Sequence, residues 1–380
     1  MKKRRVVVLG ATGSIGESTM RVARALSDHL EIVGLSGLNN TARLLELARE
    51  FPSARLCAGD EAAASTLRTE LGDRTVLHGD AGLEELAAHP EADLVLIAIV
   101  GTGGLRPALR ALETGKDLAV ASKEILVMAG ELVMATAERN GRRVLPVDSE
   151  HNAIFQCLEN RDPSTVKRLI LTCSGGPFRN ATSAELSTVT PEQALRHPTW
   201  SMGRKISIDS ATLFNKGLEM IEAKWLFGIP MEKIDVVIHP QSVIHSMVEF
   251  VDGSILAQLG STDMALPIQF ALTYPERLPG PCAPLDLAAL GRLDFEAPCT
   301  DLFPALTLAR HAGTLGGTLP AVLNAANEAA VEAFLAGHIS FPGIWENVAE
   351  AIERVPFIEH PNLEQLVAAN QAARACVTGK

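Results

Sequence analysis

Residues 5–16 read Arg5-Val6-Val7-Val8-Leu9-Gly10-Ala11-Thr12-Gly13-Ser14-Ile15-Gly16, and this stretch decides the fold. A β-branched run closes on a glycine, two more glycines follow at three-residue spacing, and Ile15, Val22, Ala23 and Leu26 continue as one face of a helix. Strand, tight turn and helix in that order open a βαβ unit. In that setting Gly10 permits the turn, Gly13 lets backbone N–H groups approach a pyrophosphate, and Gly16 lets the helix pack against the strand. The spacing G-x-x-G-x-x-G is a variant of the commoner dinucleotide form, and a bare turn uses the same glycines. Its place at the start of an α/β half favours the dinucleotide.

Working outward, Arg5–Leu9, Glu31–Leu35, Leu94–Val100, Asp117–Ala121 and Arg143–Val147 are continuous apolar runs with helical patterns between most of them. Such runs are buried on both faces, which predicts a parallel α/β sheet over residues 1–148. After Asp148 the texture changes. Lys167–Cys173, Ile234–His239, Val243–Phe250 and Ser254–Leu259 read as strands with few helices, the last two joined through Val251-Asp252-Gly253 as a hairpin. An α+β domain is expected over 149–274, with a lid over about 174–204. Pro275, Pro279, Pro281 and Pro284 then mark a linker over 275–300, and Ala-rich stretches predict a helical bundle over 301–380. The expected fold is thus a Rossmann-like N-terminal domain, an α+β central domain and a C-terminal helical bundle.

The chain has 380 residues, 47% hydrophobic and 21% charged, as an ordinary globular protein of two to three domains does. A net charge of −11 and no basic run longer than Lys2–Arg5 argue against nucleic acid or an anionic membrane as partner. The 6 cysteines are scattered without a C-x-x-C pair, which fits reduced thiols rather than zinc or disulfides. Val6–Leu9 is too short for a signal peptide and Leu94–Val100 too short for a membrane span. A soluble cytoplasmic protein is expected.

Four places carry candidate chemistry. The second strand ends in Ser36-Gly37-Leu38-Asn39-Asn40, without the acid that bonds a ribose 2′-hydroxyl, so NADP is favoured over NAD; Arg43 is the nearest cation. Val147-Asp148-Ser149-Glu150 ends the last strand of the α/β half, and strand alternation would put Asp148 and Glu150 on one side, a pair suited to Mg²⁺ or Mn²⁺. The bland alternative is a strand end capping the next helix. In a helix around Ala211–Phe227, Leu218, Ile221 and Trp225 form a core face while Asn215, Lys216 and Glu219 form a second stripe. That stripe is either an exposed ion pair or a third metal carboxylate beside a cation for an anionic substrate. Ser174-Gly175-Gly176 after a strand can nest a phosphate, and Ser122-Lys123-Glu124 ends another strand. His239 and His245 read as structural.

Together these strings resemble the 1-deoxy-D-xylulose 5-phosphate reductoisomerase family of the non-mevalonate isoprenoid pathway. The matching strings are GATGSIG from Gly10, SKE from Ser122, PVDSEHNAIFQCL from Pro146 and LTCSGGPFR from Leu171. Those from His197 (HPTWSMGRKISIDSATLFNKGLEMIEAKWLFG), from His239 (HPQSVIHSMVEFVDGSILAQLG) and from Ala265 (ALPIQFALTYPER), with NAANE at Asn324–Glu328, complete the set. The resemblance implies NADPH- and divalent-metal-dependent (Mn²⁺ or Mg²⁺) rearrangement and reduction of the sugar phosphate to 2-C-methyl-D-erythritol 4-phosphate. It implies Asp148, Glu150 and Glu219 as metal ligands and catalytic groups, with Lys123. Substrate would be held by Lys123, Ser149, Glu150, Ser174, His197, Ser210, Asn215, Lys216 and Glu219, with Trp200 as the lid indole. Thr12, Gly13, Ser14, Ile15, Gly37, Leu38, Asn39, Ser122, Glu124 and Gly203 fall at cofactor positions. A homodimer is implied. Two residues depart from the pattern: Ser122 stands where many members carry Asn, and Leu38 where some carry a basic residue. The rival readings are an NADP-dependent dehydrogenase of another sugar phosphate, and a redox-sensing NADP-binding protein.

Overall fold

The computed structural model describes residues 3–72, 74–159, 161–196 and 202–379. The chain folds as two compact units. The first runs from the N-terminal strand to Ile125, with Glu131–Asn152 and Asp263–Ala283; the second comprises Leu126–Gly130, Ala153–Thr262 and the chain from Pro284.

The first unit is built on a 7-stranded parallel sheet. In chain order come β1 (Arg4–Leu9), α1 (Ser14–Ala25), β2 (Leu30–Gly37), α2 (Thr41–Glu50), β3 (Arg55–Ala58), α3 (Glu61–Leu71), β4 (Val76–His78) and α4 (Gly79–Ala87). They continue with β5 (Leu94–Ile97), α5 (Leu105–Glu113), β6 (Asp117–Val120), α6 (Lys123–Arg139), β7 (Val144–Pro146) and α7 (Ser149–Leu158). The strand order is β4-β3-β2-β1-β5-β6-β7, so the chain winds outward from β1, returns, and winds the other way from β5. Ligand crevices open at such a reversal, beyond the carboxyl ends of the strands. Leu9, Ile97, Val120 and Pro146 stand in one register row, so the segments that follow β1, β5, β6 and β7 leave the same edge.

Val6–Leu9 and Leu94–Ile97 are fully buried, as strands covered on both faces require. The sequence pattern misses β3 and β4, because their apolar runs, Leu56–Ala58 and Val76–Leu77, are shorter than those that mark β5, β6 and β7. Several strands also stop earlier than their apolar runs: β5 ends at Ile97 and leaves Val100 82% exposed.

The second unit begins its own elements with β8 (Val166–Cys173), followed by two short helices, α8 (Ser183–Leu186) and α9 (Pro191–Ala194), each closed by a capping box. Next come α10 (Arg204–Thr212), α11 (Phe214–Phe227), β9 (Ile234–Ile238), β10 (Ile244–Phe250) and β11 (Ile255–Leu259). The strands form a mixed sheet in the order β11-β10-β8-β9, with the expected hairpin turning at Gly253 (φ 85). Then α12 (Ala265–Thr273) belongs to the first unit, where Arg4 Nη1 donates to the carbonyl of Leu272 at 3.0 Å. The Pro-rich stretch holds only α13 (Leu287–Leu290) and a bridge between Glu296 and Ile238.

The helical bundle follows as α14 (Ala305–Leu315), α15 (Leu319–Leu335), α16 (Gly343–Arg354) and α17 (Leu363–Thr378). Its core is continuous with one face of the mixed sheet and holds Phe214, Leu218, Ile221, Phe334 and Phe341. Phe341 meets Phe178, Phe334 and Trp345 edge-on with ring centroids 5.3, 5.6 and 5.5 Å away, each pair adding about 1 kcal/mol to area burial. Gly217 lets α11 lie against α14, since a Cβ there would stand 2.8 Å from that of Ala309.

Candidate active site

The glycine turn of the first unit is shaped by what cannot fit. A Cβ on Gly10 (φ 92) would lie 2.6 Å from the Ala98 carbonyl oxygen, and one on Gly16 would lie 2.3 Å from that of Ala11. Gly13 is different: only the Gly10 carbonyl comes near, at 3.5 Å, and Gly13 and Ser14 are exposed. Gly13 is also the N-cap of α1 and supplies no side-chain acceptor, so the first N–H groups of the helix face open space. An anion is the natural partner for such donors. The end of β2 closes against this turn. Ser36 Oγ accepts the Gly10 N–H at 3.0 Å, and a Cβ on Gly37 would stand 2.9 Å from Thr12 Cγ2. Ile15 is half-buried, Asn39 exposed, and Leu38 67% exposed.

Along the same strand edge, Lys123 is the first residue of α6 and only 5% exposed. A cation at a helix start opposes the dipole, and here the Asp148 carboxylate answers it, 2.6 Å from Lys123 Nζ. Glu124 is buried beside it. Ser122 precedes α6 and donates its hydroxyl to the Ile99 carbonyl, fastening the segment after β5.

Strand alternation does not govern Asp148 and Glu150, which corrects that part of the sequence reading. β7 ends at Pro146 and α7 begins at Ser149, so both acids lie in a helical start. Asp148 Oδ1 accepts the Glu150 N–H at 3.2 Å in the manner of a cap, and His151 Nδ1 lies 3.3 Å from the same oxygen. Ser149 Oγ donates to Glu150 Oε2 at 2.6 Å. The capping role that the sequence left as an alternative is thus present at Asp148.

In the second unit, Ser174 follows β8 and leads into Gly175 and Gly176, with φ of 81° and 69°. The Gly176 N–H returns to Ser174 Oγ at 3.2 Å, and a Cβ on Gly176 would stand 2.7 Å from the Ser210 carbonyl oxygen. The absent side chain thus brings the Ser174 turn against the end of α10, which carries Ser210. The expected helix over Ala211–Phe227 is broken. Leu213 takes a left-handed conformation (φ 64, ψ 7) and turns the chain into a second helix start. That start has no side-chain cap and holds Asn215 and Lys216 in its first turn.

In the second stripe of α11, Lys216 and Glu219 are buried, at 2% and 1% exposed, and Asn215 is half-buried; Glu222, one turn further on, is 0% exposed. Lys216 Nζ pairs with Glu219, and Asn215 Nδ2 donates to Glu219 Oε1 at 2.5 Å. A buried ion pair is costly unless its geometry serves a purpose.

Sequence reasoning missed the support behind Ser210. Asp209, 1% exposed, meets Lys205 Nζ at 2.6 Å and accepts from Asn327 Nδ2 at 2.8 Å. The signal was an acid beside a candidate ligand, but its partner lies 118 residues away. It also passed over Ser242, a non-glycine residue at φ 52 in the turn after β9, the parallel neighbour of β8. Gly203 is exposed at the N-cap of α10, and His239 is structural, its Nδ1 2.9 Å from the Asp294 carbonyl. His197 and Trp200 lie outside the described residues.

Residues 6–130 match 1-deoxy-D-xylulose 5-phosphate reductoisomerase, and residues 144–227 and 259–376 match the C-terminal domains of that enzyme. The chain belongs to the 1-deoxy-D-xylulose 5-phosphate reductoisomerase family. It is 53% identical over 378 residues to the reductoisomerase of Symbiobacterium thermophilum, covering 98% of this chain and 97% of that one. With the Anaeromyxobacter sp. strain K enzyme it shares 53% over 372 residues, 98% of this chain and 95% of the relative. Among solved structures, the Zymomonas mobilis reductoisomerase in complex with NADPH superposes with a TM-score of 0.94 at 45% identity, covering 100% and 99% of the two chains. A reductoisomerase in complex with NADPH, fosmidomycin and magnesium gives 0.94 at 43%, covering 99% and 98%.

Proposed function

We propose that this chain rearranges and reduces 1-deoxy-D-xylulose 5-phosphate to 2-C-methyl-D-erythritol 4-phosphate, with NADPH as reductant and Mg²⁺ or Mn²⁺ as metal. The observation that carries the reading is the first turn of α11, where a buried lysine and an asparagine are bonded to a buried carboxylate. A group that binds phosphate and a group that binds a cation sit one helical turn apart. Each acidic ligand candidate offers oxygen, the donor that hard divalent cations take.

We assign Asp148, Glu150 and Glu219 to the metal. When bound, the cation polarises adjacent substrate oxygens and NADPH supplies the hydride. The chain's own residues do the rest. Lys123 holds the Asp148 carboxylate in one orientation and places an ammonium at the same edge. Ser174, Ser210, Asn215 and Lys216 hold the phosphate, whose binding energy is remote from the reacting carbons and so can serve orientation and exclusion of water. Ser149 and His197 are assigned to the substrate, and Trp200 to the lid over it. The open helix start at Gly13–Ile15, with Thr12 and the Gly37–Asn39 corner, is assigned to the NADPH phosphates and ribose, and Ser122, Glu124 and Gly203 to the rest of the cofactor.

Carbon NMR of the product tests the reaction class. A branched methyl-erythritol skeleton is expected; an unrearranged reduced sugar would make the protein a simple sugar-phosphate dehydrogenase. The redox-sensor alternative needs none of the three acids, so metal-insensitive NADPH binding without turnover would favour it, whereas metal-dependent turnover would exclude it.

We also propose a homodimer in the cytoplasm. The edge strand β11 exposes Ile255 (49%) and Leu256 (37%) beside Val251 (68%), an apolar edge that a second copy would cover. Light scattering should give twice the 40.5 kDa chain mass, falling towards one chain in Leu256→Lys. A monomeric wild type would refute it. The 6 scattered cysteines without a C-x-x-C pair suit the compartment, and no described helix is long and apolar enough to cross a membrane.

A further inference from the structure

The corner that follows β2 contains no charged side chain from Ser36 to Ala42, and the first cation after it is Arg43 on α2. Arg43 is not idle. Its Nε and Nη2 donate to the two oxygens of Glu17 at 2.6 and 2.8 Å, and its Nη1 donates to Glu46. Glu17 lies in the first turn of α1, the helix whose uncapped start forms the anion site, so this clasp stands beside the glycine turn. Two parallel N–H···O bonds from one guanidinium are the same fork that arginine offers a phosphate.

We propose that Arg43 is a masked cation for the 2′-phosphate of NADPH, and that Glu17 sets the selectivity over NADH by competing for the same fork. The proposal rests on the NADPH reading above. Glu46, one turn along α2, keeps the side chain on its helix, whereas Glu17 is the cross-helix competitor. Two acids around one cation give the clasp a net negative charge, which repels a phosphate until Glu17 is displaced. The pair is accessible to exchange: the Arg43 and Glu17 side chains are 27% and 40% exposed, so the fork is reached from solvent. Arg43 holds the Glu17 carboxyl below the usual carboxylate range, so Glu17 stays ionised and in competition at neutral pH. Leu38, 67% exposed at the corner, adds no charge of its own.

Calorimetric titration of the full-length protein with NADP⁺ and with NAD⁺ tests this without turnover. Glu17→Gln should tighten NADP⁺ by about fivefold, the worth of an exposed ion pair of about 1 kcal/mol. It should leave NAD⁺ within twofold. Arg43→Ala should weaken NADP⁺ by about tenfold and again spare NAD⁺. Equal shifts for both nucleotides would reduce the clasp to a helix–helix fastener and overturn the proposal, as would an unchanged NADP⁺ affinity in Arg43→Ala. Wild-type protein that binds neither nucleotide would instead remove the NADPH reading, and this inference with it. Circular dichroism of each variant confirms that the fold is retained before titration.

Discussion

Two of the helix starts without a side-chain cap, those of α1 and α11, are built in opposite ways. At α1 the N-cap is Gly13, the turn is exposed, and no cation stands in the first turn. At α11 the N-cap is Leu213, the turn is buried, and Lys216 stands inside it. Through the helix dipole, either start favours an anion. The first relies on backbone and empty space; the second relies on side chains. The dinucleotide turn should therefore resist side-chain truncation and fail on an added methyl, whereas the phosphate cradle should fail on truncation.

The largest effect is expected in the cradle. Glu219→Gln should lower kcat by roughly 100-fold or more with a smaller change in KM, because it removes a charge that acts where substrate charge develops. Lys216→Ala should instead raise the KM for the sugar phosphate by about tenfold to a hundredfold, the worth of a charged hydrogen bond, with kcat less affected. Equal steady-state constants in wild type and both variants would break the assignment. On the other side, Gly10→Ala should destabilise the protein by about 2 kcal/mol in a denaturant titration, since φ of 92° and the Ala98 carbonyl both oppose a Cβ. Gly176→Ala sharpens the comparison, because it is a backbone-type defect inside the side-chain site. A rise of about tenfold in substrate KM is expected as Ser174 and Ser210 are forced apart. The smallest effect is expected for Ser14→Ala, under about threefold in NADPH affinity, because the backbone N–H survives. A tenfold loss there would mean that the hydroxyl, not the backbone, holds the cofactor.

How far the sequence reaches follows the same division. The strand–turn–helix at Arg5–Gly16 was legible because its glycines and apolar period are local. The hairpin at Val251–Gly253 was legible for the same reason. β3 and β4 were not, because their apolar runs, Leu56–Ala58 and Val76–Leu77, are too short to stand out. Asp148–Glu150 was placed correctly at a strand end but on the wrong local geometry, since Pro146 closes β7 and Asp148 already accepts the Glu150 N–H. The break at Leu213 has no sequence signature, because leucine is a poor left-handed residue. Asp209 and Asn327 meet across 118 residues, a distance that no local pattern spans. Resemblance to the family supplied the grouping of Lys123, Asp148, Glu150 and Glu219; periodicity alone left each with a structural alternative.

The most direct test follows NADPH absorbance on addition of 1-deoxy-D-xylulose 5-phosphate, with Mn²⁺ present and in a parallel sample treated with a chelator. The account predicts substrate-dependent loss of NADPH that stops on chelation and returns when Mn²⁺ is restored. Loss of equal rate in metal-free protein would contradict the carboxylate site, and no loss in either sample with NADPH bound would contradict the activity itself.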